Sequence, residues 1–317
     1  MKLLVSHLEA LRGYVSREFY CVMTELITQY GWRHIETQQL STAPGPVENT
    51  LRQQFGQLPE VILFWEAYEF LSGHAHEIQR LNTQKVIFAD DLHWFDEPMR
   101  RRKVVGFALC DTVLATYAYA WDRFYPEFCR TKRVEWVPHS ASPDFVLRYN
   151  ERPENSIFLS GRIDHHYPLR QTMKSLCDGR RYSITYHHHP GYHCGYDYER
   201  DRVIGRGYAE LINKHRAAFT DSLKYKYVVA KYFEIPATGA LLVADAAVRE
   251  PLRRLGFMEH KHYLPVSQEN LEETVRYVLH EPNHRELDEI RTRASSLVWR
   301  QHTTSHRARR INELCAA

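Results

Sequence analysis

The sequence predicts an α/β protein of two layered domains, each built around a mainly parallel sheet. Three observations lead there. Short apolar runs such as Val61–Trp65 and Ala240–Ala244 alternate with stretches of helical periodicity, the pattern of parallel strands covered by helices. The alternation pauses over 143–156, a polar stretch holding two Pro, and then restarts. The length of 317 residues leaves room for two cores, at about 100–200 residues per domain.

The elements follow in order. Lys2–Val5 reads as a short strand. A helix is expected from Ser16 to Tyr30, with Phe19, Val22, Met23, Leu26 and Ile27 on one face and Gly31 as the stop. Residues 40–50, rich in Thr, Pro, Gly and Asn, read as a loop. The strand Val61–Trp65 is followed by a helix over 70–82 and the strand Lys85–Ala89. That strand runs straight into Asp90-Asp91-Leu92-His93-Trp94. Val113–Thr116 and Val134–Val137 are further strands. The second domain reads as strand Ile157–Leu159, helix 168–177, strand 182–186, helix 207–215, strand 216–219, helix 226–238 and strand Ala240–Ala244. The Arg-rich stretch 284–315 is helical.

Composition narrows the function. Hydrophobic residues make up 44%, charged residues 26% and aromatic residues 13%, which excludes disorder and collagen-like structure. No apolar run reaches the roughly 18–20 residues of a membrane helix. The opening MKLLVSHLEAL lacks a small-residue cleavage site, so no signal peptide is expected. Lys plus Arg number 42 and Asp plus Glu 39, too close to balance to announce a nucleic-acid binder. The 19 His and 20 Tyr suit the holding of polar ligands. Six scattered Cys without a CxxC pair read as reduced thiols, and a cytoplasmic setting follows.

Four motifs carry candidate chemistry. Leu159-Ser160-Gly161-Arg162, with Arg170 after it, puts guanidinium groups at a strand's carboxyl end, where open α/β sheets bind ligands. Two Arg there can grip a diphosphate or be plain surface charges. In Lys231-Tyr232-Phe233-Glu234-Ile235-Pro236, Pro236 marks a nearby helix start, because Pro fits the first turn. The free amides of that start would suit a phosphate. Glu234 either caps the helix or accepts bonds from sugar hydroxyls. His187-His188-His189-Pro190-Gly191-Tyr192 is tempting for zinc, but no ligand spacing completes it. A Pro-Gly loop presenting rings to a nucleotide base, or a structural turn, remain. Asp90-Asp91-Leu92-His93 places His beside carboxylates at a strand end, as catalytic sites do; a hydrogen-bonded turn is the alternative. No P-loop, GxGxxG or GxSxG is present. The basic runs Arg100–Lys103 and Arg130–Arg133 read as solvated faces or as a surface for an anionic acceptor.

The motifs LSGRIDHHYPLR, HHHPGY, GYAELINKHRAAFT, KYFEIPATGALLVAD, LGF…HYLPV and HTTSHRARRINEL occur in one order. Together they resemble the CgeB-like glycosyltransferases, within the retaining GT-B enzymes (group 1, family 4 type) that use nucleotide-sugars. The resemblance is specific over 155–317 and looser over 1–150. It implies two Rossmann-like domains facing across a cleft: 1–148 for the acceptor, 149–290 for the donor, and 291–317 as a helix crossing back to the first domain. It implies that Arg162 and Arg170 hold the donor diphosphate and that Glu234 binds the ribose. His189, Tyr192, Lys231 and Tyr232 are expected around the donor. Lys226 stands where many relatives carry a second Glu, and is expected at the donor as a phosphate contact instead.

His93 and Asp91 are the expected catalytic side chains, with Arg162 stabilising the leaving group. The reaction implied is sugar transfer with retention, a UDP-sugar being favoured as co-substrate. Neither metal nor cofactor is expected. The acceptor is open among a glycan, a protein, a small metabolite and a modified DNA base. A non-catalytic nucleotide-sugar binder, and an epimerase or phosphorylase on the same plan, are the alternatives.

Overall fold

A computed structural model describes residues 1–316. The chain divides into two compact units. The first holds Met1–Arg12, Phe19–Pro138 and the residues from Ser305 on; the second holds Gly13–Glu18 and His139–Thr304. The sequence reading puts the divisions at 148/149 and 290/291. The observed ones fall where side chains change allegiance. Glu18 and Arg17 bond to His139, Ser140 and Asp144, which draws 13–18 into the second unit. At His302 the C-terminal helical stretch breaks into His284–Gln301 and Thr304–Leu314. Asn312 of the second piece, which belongs to the first unit, accepts bonds from Lys2 and Trp32 of that unit.

The first unit contains a six-stranded parallel sheet. Its strands are β1 (Lys2–Ser6), β2 (Arg33–Glu36), β3 (Val61–Trp65), β4 (Gln84–Ala89), β5 (Thr112–Ala115) and β6 (Arg133–Trp136), in the order β2-β1-β3-β4-β5-β6. The central strands are buried on both faces, which explains their unbroken apolar runs. Leu4, Leu63, Val86, Phe88 and Leu114 pack against Met23, Leu26 and Trp32 on one side, with Ala308 and Ile311 of the returning helix in the same cluster.

The second unit contains a five-stranded parallel sheet. Its strands are β7 (Glu154–Ser160), β8 (Ile184–His187), β9 (His215–Thr220), β10 (Leu241–Asp245) and β11 (Leu264–Val266), in the order β11-β10-β9-β7-β8. Ile157, Leu159, Ala217, Phe219, Leu241 and Val243 form its core with Met173, Val275, Leu287 and Ile290. In both sheets the paired strands are parallel, so every carboxyl end lies along one edge of its sheet.

Several elements depart from expectation. Residues 40–50 are mostly helical, in Thr37–Thr42 and Val47–Phe55, because buried Leu40, Val47 and Leu51 hold those turns. The helix expected over 70–82 is two, Tyr68–Gly73 and Ala75–Arg80; between them the His74 ring bonds back to the Phe70 carbonyl at 3.1 Å. β2 escapes detection because Arg33, His34 and Glu36 leave Ile35 as its one apolar side chain. The helix Glu97–Leu109 hides behind its basic run, although Asp96 caps it by accepting from the Met99 amide at 2.7 Å. Among the described residues no disulfide forms, and no helix is long and apolar enough to cross a membrane.

Candidate functional site

At the carboxyl edge of the second sheet lie Arg162, Arg170, Asp221 and Lys231. β7 ends at Ser160, and Gly161 turns the chain with φ +100°. That positive φ favours glycine, and a Cβ there would also lie 2.8 Å from Arg170 Nη1. Arg170 comes from the helix Pro168–Asp178 and is 3% exposed. It pairs with Asp221 at 3.0 Å, stacks over the Tyr167 ring at 4.0 Å and donates to the Arg162 carbonyl at 2.9 Å. Burial pushes the Asp221 carboxyl above its usual range, against the pull of Arg170. Arg170 is thus committed to holding the Gly161–Arg162 turn, with only its buried Nε lacking a hydrogen-bond partner. Arg162 is the outward-facing guanidinium, 58% exposed and steadied by Asp164 at 2.5 Å.

Lys231 opens the helix Lys231–Ala237 and is half-buried. Burial alone would lower its pKa, but Tyr208 and Glu234 outweigh burial and leave it raised, so its ammonium persists at neutral pH. His189 registers the local field. Burial first, then Lys231 and Arg170, with smaller contributions from His188 and Arg162, lower its pKa to about 4. The imidazole is therefore neutral at physiological pH, with Nδ1 accepting from the Gly191 amide at 3.0 Å. The exposed Tyr192 ring lies 4.3 Å from the His189 ring.

Glu234 is 6% exposed. Burial raises its carboxyl to about 7, with Lys231 opposing and Glu18 adding to the rise. It is no cap: the N-cap residue is Ala230, and no side chain caps this helix. Pro236 sits in the last turn, not the first, so the helix begins five residues before it. The expected phosphate-binding start at Pro236 is absent. The short helix ends beside Gly239, whose positive φ of +84° lets Tyr149 pack closely. Beside Glu234 lies a second buried carboxylate, Glu18, which accepts from His139 Nδ1 at 2.7 Å and from the Ser140 amide and hydroxyl at 2.5 and 2.8 Å. Motif reading missed Glu18, His139 and Asp221, because each meets its partner from a distant part of the chain.

Two donor candidates stand elsewhere. Tyr232 is wholly buried. Lys226 is exposed and lies on a turn with φ +59°, not on a helix. Of the three consecutive His, His187 stacks on Phe158 at 5.9 Å while His188 is exposed, so they meet different surroundings. Among the described residues, the group with metal-ligand spacing is Asp164, His165 and His166. There Asp164 is already bonded to Arg162 and His166.

In the first unit, the carboxyl end of β4 carries Asp91 and His93. His93 is buried, with Nδ1 3.6 Å from an Asp91 oxygen. Phe95 beyond it is 76% exposed, its ring 5.2 Å from the His93 ring. Glu66, at the end of neighbouring β3, takes φ +48° and accepts from the Asp90 amide at 3.3 Å. The basic runs do not form a bare positive face. Arg100, Arg101 and Arg102 pair with Glu127, Glu97 and Glu69 at 3.3, 3.6 and 3.7 Å. Lys132 is spent on the carbonyls of Ala108 and Cys110, and Arg133 on Glu135.

Residues 168–313 match the family model described as "Glycosyl transferase-like". No curated protein matches the sequence. Solved structures match over nearly the whole chain. Sucrose-phosphate synthase from Thermosynechococcus elongatus has a TM-score of 0.66 at 12% identity, covering 99% of this chain and 97% of its own. An alpha-glucosyltransferase in complex with UDP gives 0.60 at 11%, covering 100% of each chain. Anabaena HepE in complex with UDP and glucose gives 0.60 at 10%, covering 99% of each. With a glycosyltransferase-like stretch and two parallel sheets matching these structures along their length, the chain has the α/β fold of the GT-B glycosyltransferases.

Proposed function

We propose that the protein is a retaining glycosyltransferase of the CgeB-like kind, moving a sugar from a UDP-sugar to an acceptor without a metal ion. The observation that carries this reading is the convergence of Arg162, Arg170 and Lys231 around Gly161 and His189, with the buried Glu234 on the same short helix as Lys231. Such a cluster matches a nucleoside diphosphate: cations for the phosphates, a carboxylate for the ribose hydroxyls and rings for the base. Two of the structural neighbours were solved with UDP, which favours uridine.

When the bond from the anomeric carbon to the diphosphate breaks, its electron pair goes to the phosphate oxygen. Arg162 and Lys231 would meet that charge in place of a divalent ion. Arg170 would contribute mainly by fixing the turn that aims Arg162. The acceptor oxygen then bonds to the anomeric carbon on the face the leaving group vacates, and a phosphate oxygen takes the acceptor's proton. His93 and Asp91 would orient the donor sugar or the acceptor.

Lys226 in place of the usual second Glu favours one rival, a binder that does not turn the donor over. The deciding experiment combines calorimetric titration with UDP and release of UDP from UDP-glucose. Binding with release supports the enzyme, binding without release supports the rival, and no binding of any nucleoside diphosphate sinks both.

A further inference from the structure

Three successive carbonyls at the carboxyl end of β4 are captured by side chains from the interior of the first unit. Lys103 Nζ donates to the Asp91 carbonyl and, at 3.0 Å, to the His93 carbonyl. Tyr125 Oη donates to the Leu92 carbonyl between them at 2.9 Å. Lys103 is 1% exposed and Tyr125 0%. The ammonium also lies 5.4 Å from the centre of the Tyr68 ring. A connecting loop can leave its carbonyls to water at no expense, whereas burying an ammonium carries a desolvation penalty. What the protein gains in return is a fixed course for Asp91-Leu92-His93, and hence a fixed place for the His93 ring beside Asp91.

We propose that Lys103 and Tyr125 are positioning residues, which preset the Asp91–His93 loop so that the His93 imidazole stands ready for the reacting groups. This rests on the glycosyltransferase reading for its kinetic consequence, but not for its geometry. Lys103 belongs to a basic run that the sequence presents as surface charge. Its burial separates it from Arg100, Arg101 and Arg102, which face solvent and carboxylates.

The variants are Lys103→Met, which keeps the length of the side chain, and Tyr125→Phe, which removes one oxygen and leaves the ring packing. Release of UDP from UDP-glucose in water, without an added acceptor, gives kcat; titration gives UDP affinity. Both variants should lower kcat, Lys103→Met by on the order of 10- to 100-fold, as small displacements of reacting groups do, with UDP affinity unchanged. In a His93→Ala background neither should cost anything further, because the group being positioned is gone. An equal loss with and without His93, or wild-type kcat in both variants, overturns the proposal. If wild type releases no UDP and binds none in the titration, the glycosyltransferase reading falls, and in either case nitrogen-15 NMR of the imidazoles still decides the positioning. The His93 ring signals should move or broaden in both variants while those of His189 stay in place; unmoved His93 signals overturn it.

Discussion

Arg170 and Asp221 form an ion pair sealed inside the second unit, 3.0 Å apart, with side-chain exposures of 4% and 1%. Removing one partner of such a pair leaves the other charge buried and alone, which typically costs about 3–5 kcal/mol. Arg170→Met should therefore lower the stability of the protein by an amount of that order in urea denaturation. It should also free the Gly161–Arg162 turn, whose carbonyl Arg170 holds. A variant as stable as wild type would show that the pair carries no structural load.

This pair also shows how far the sequence could be read. The inner strands of both sheets were legible because buried parallel strands are apolar, whereas the edge strands β2 and β11 were not; Gly161-Arg162 at the end of β7 was legible as a ligand edge. The two Arg looked equivalent. Only the fold brings Asp221 from the end of β9 to Arg170, turning one into an internal strut and leaving the other outside. Lys103 was hidden likewise, since a run of four basic residues gives no sign that its last member points inward. Pro236 misled because a seven-residue helix can hold Pro in its last turn with little lost bonding.

Arg162→Ala separates function from stability. Arg162 is 58% exposed but its partner Asp164 only 19%; a half-exposed pair of this kind contributes about 1 kcal/mol at most, so the melting temperature should drop only slightly. Donor binding should weaken by roughly 1.5–3 kcal/mol, a typical loss for a hydrogen bond to a charged group. kcat should fall too, since leaving-group charge grows toward the transition state. Unchanged kcat/KM for UDP-glucose would remove Arg162 from the site.

Turnover should survive excess chelator if, as proposed, side-chain cations rather than a metal meet the diphosphate. The comparison variant is Asp164→Asn, which removes the carboxylate from the Asp164, His165 and His166 group. If chelation abolishes turnover, zinc or manganese restores it, and Asp164→Asn prevents the restoration, that group is a metal site and the reaction depends on it.

Glu234 gives the sharpest test, because its carboxyl titrates near 7 when folded, held there chiefly by burial, against 4.5 for the ordinary group. Between those values the folded chain binds more protons than the unfolded one, so stability falls as pH rises through that window. Above about pH 7 the penalty is complete, on the order of 3 kcal/mol at 1.36 kcal/mol per pH unit. Near pH 4.5 it vanishes. Glu234→Gln does not titrate, so it should be more stable than wild type above pH 7 and equal to it near pH 4.5. Binding should go the other way. If the ionised carboxylate accepts the ribose hydroxyls, UDP draws a proton off Glu234 in the same window. Wild-type affinity should then climb relative to Glu234→Gln as pH rises to about 7, and level off above it. Calorimetry in two buffers of different ionisation heat counts the released proton. Equal proton release and parallel pH profiles in wild type and Glu234→Gln would take Glu234 out of the nucleotide site, whatever the melting curves show.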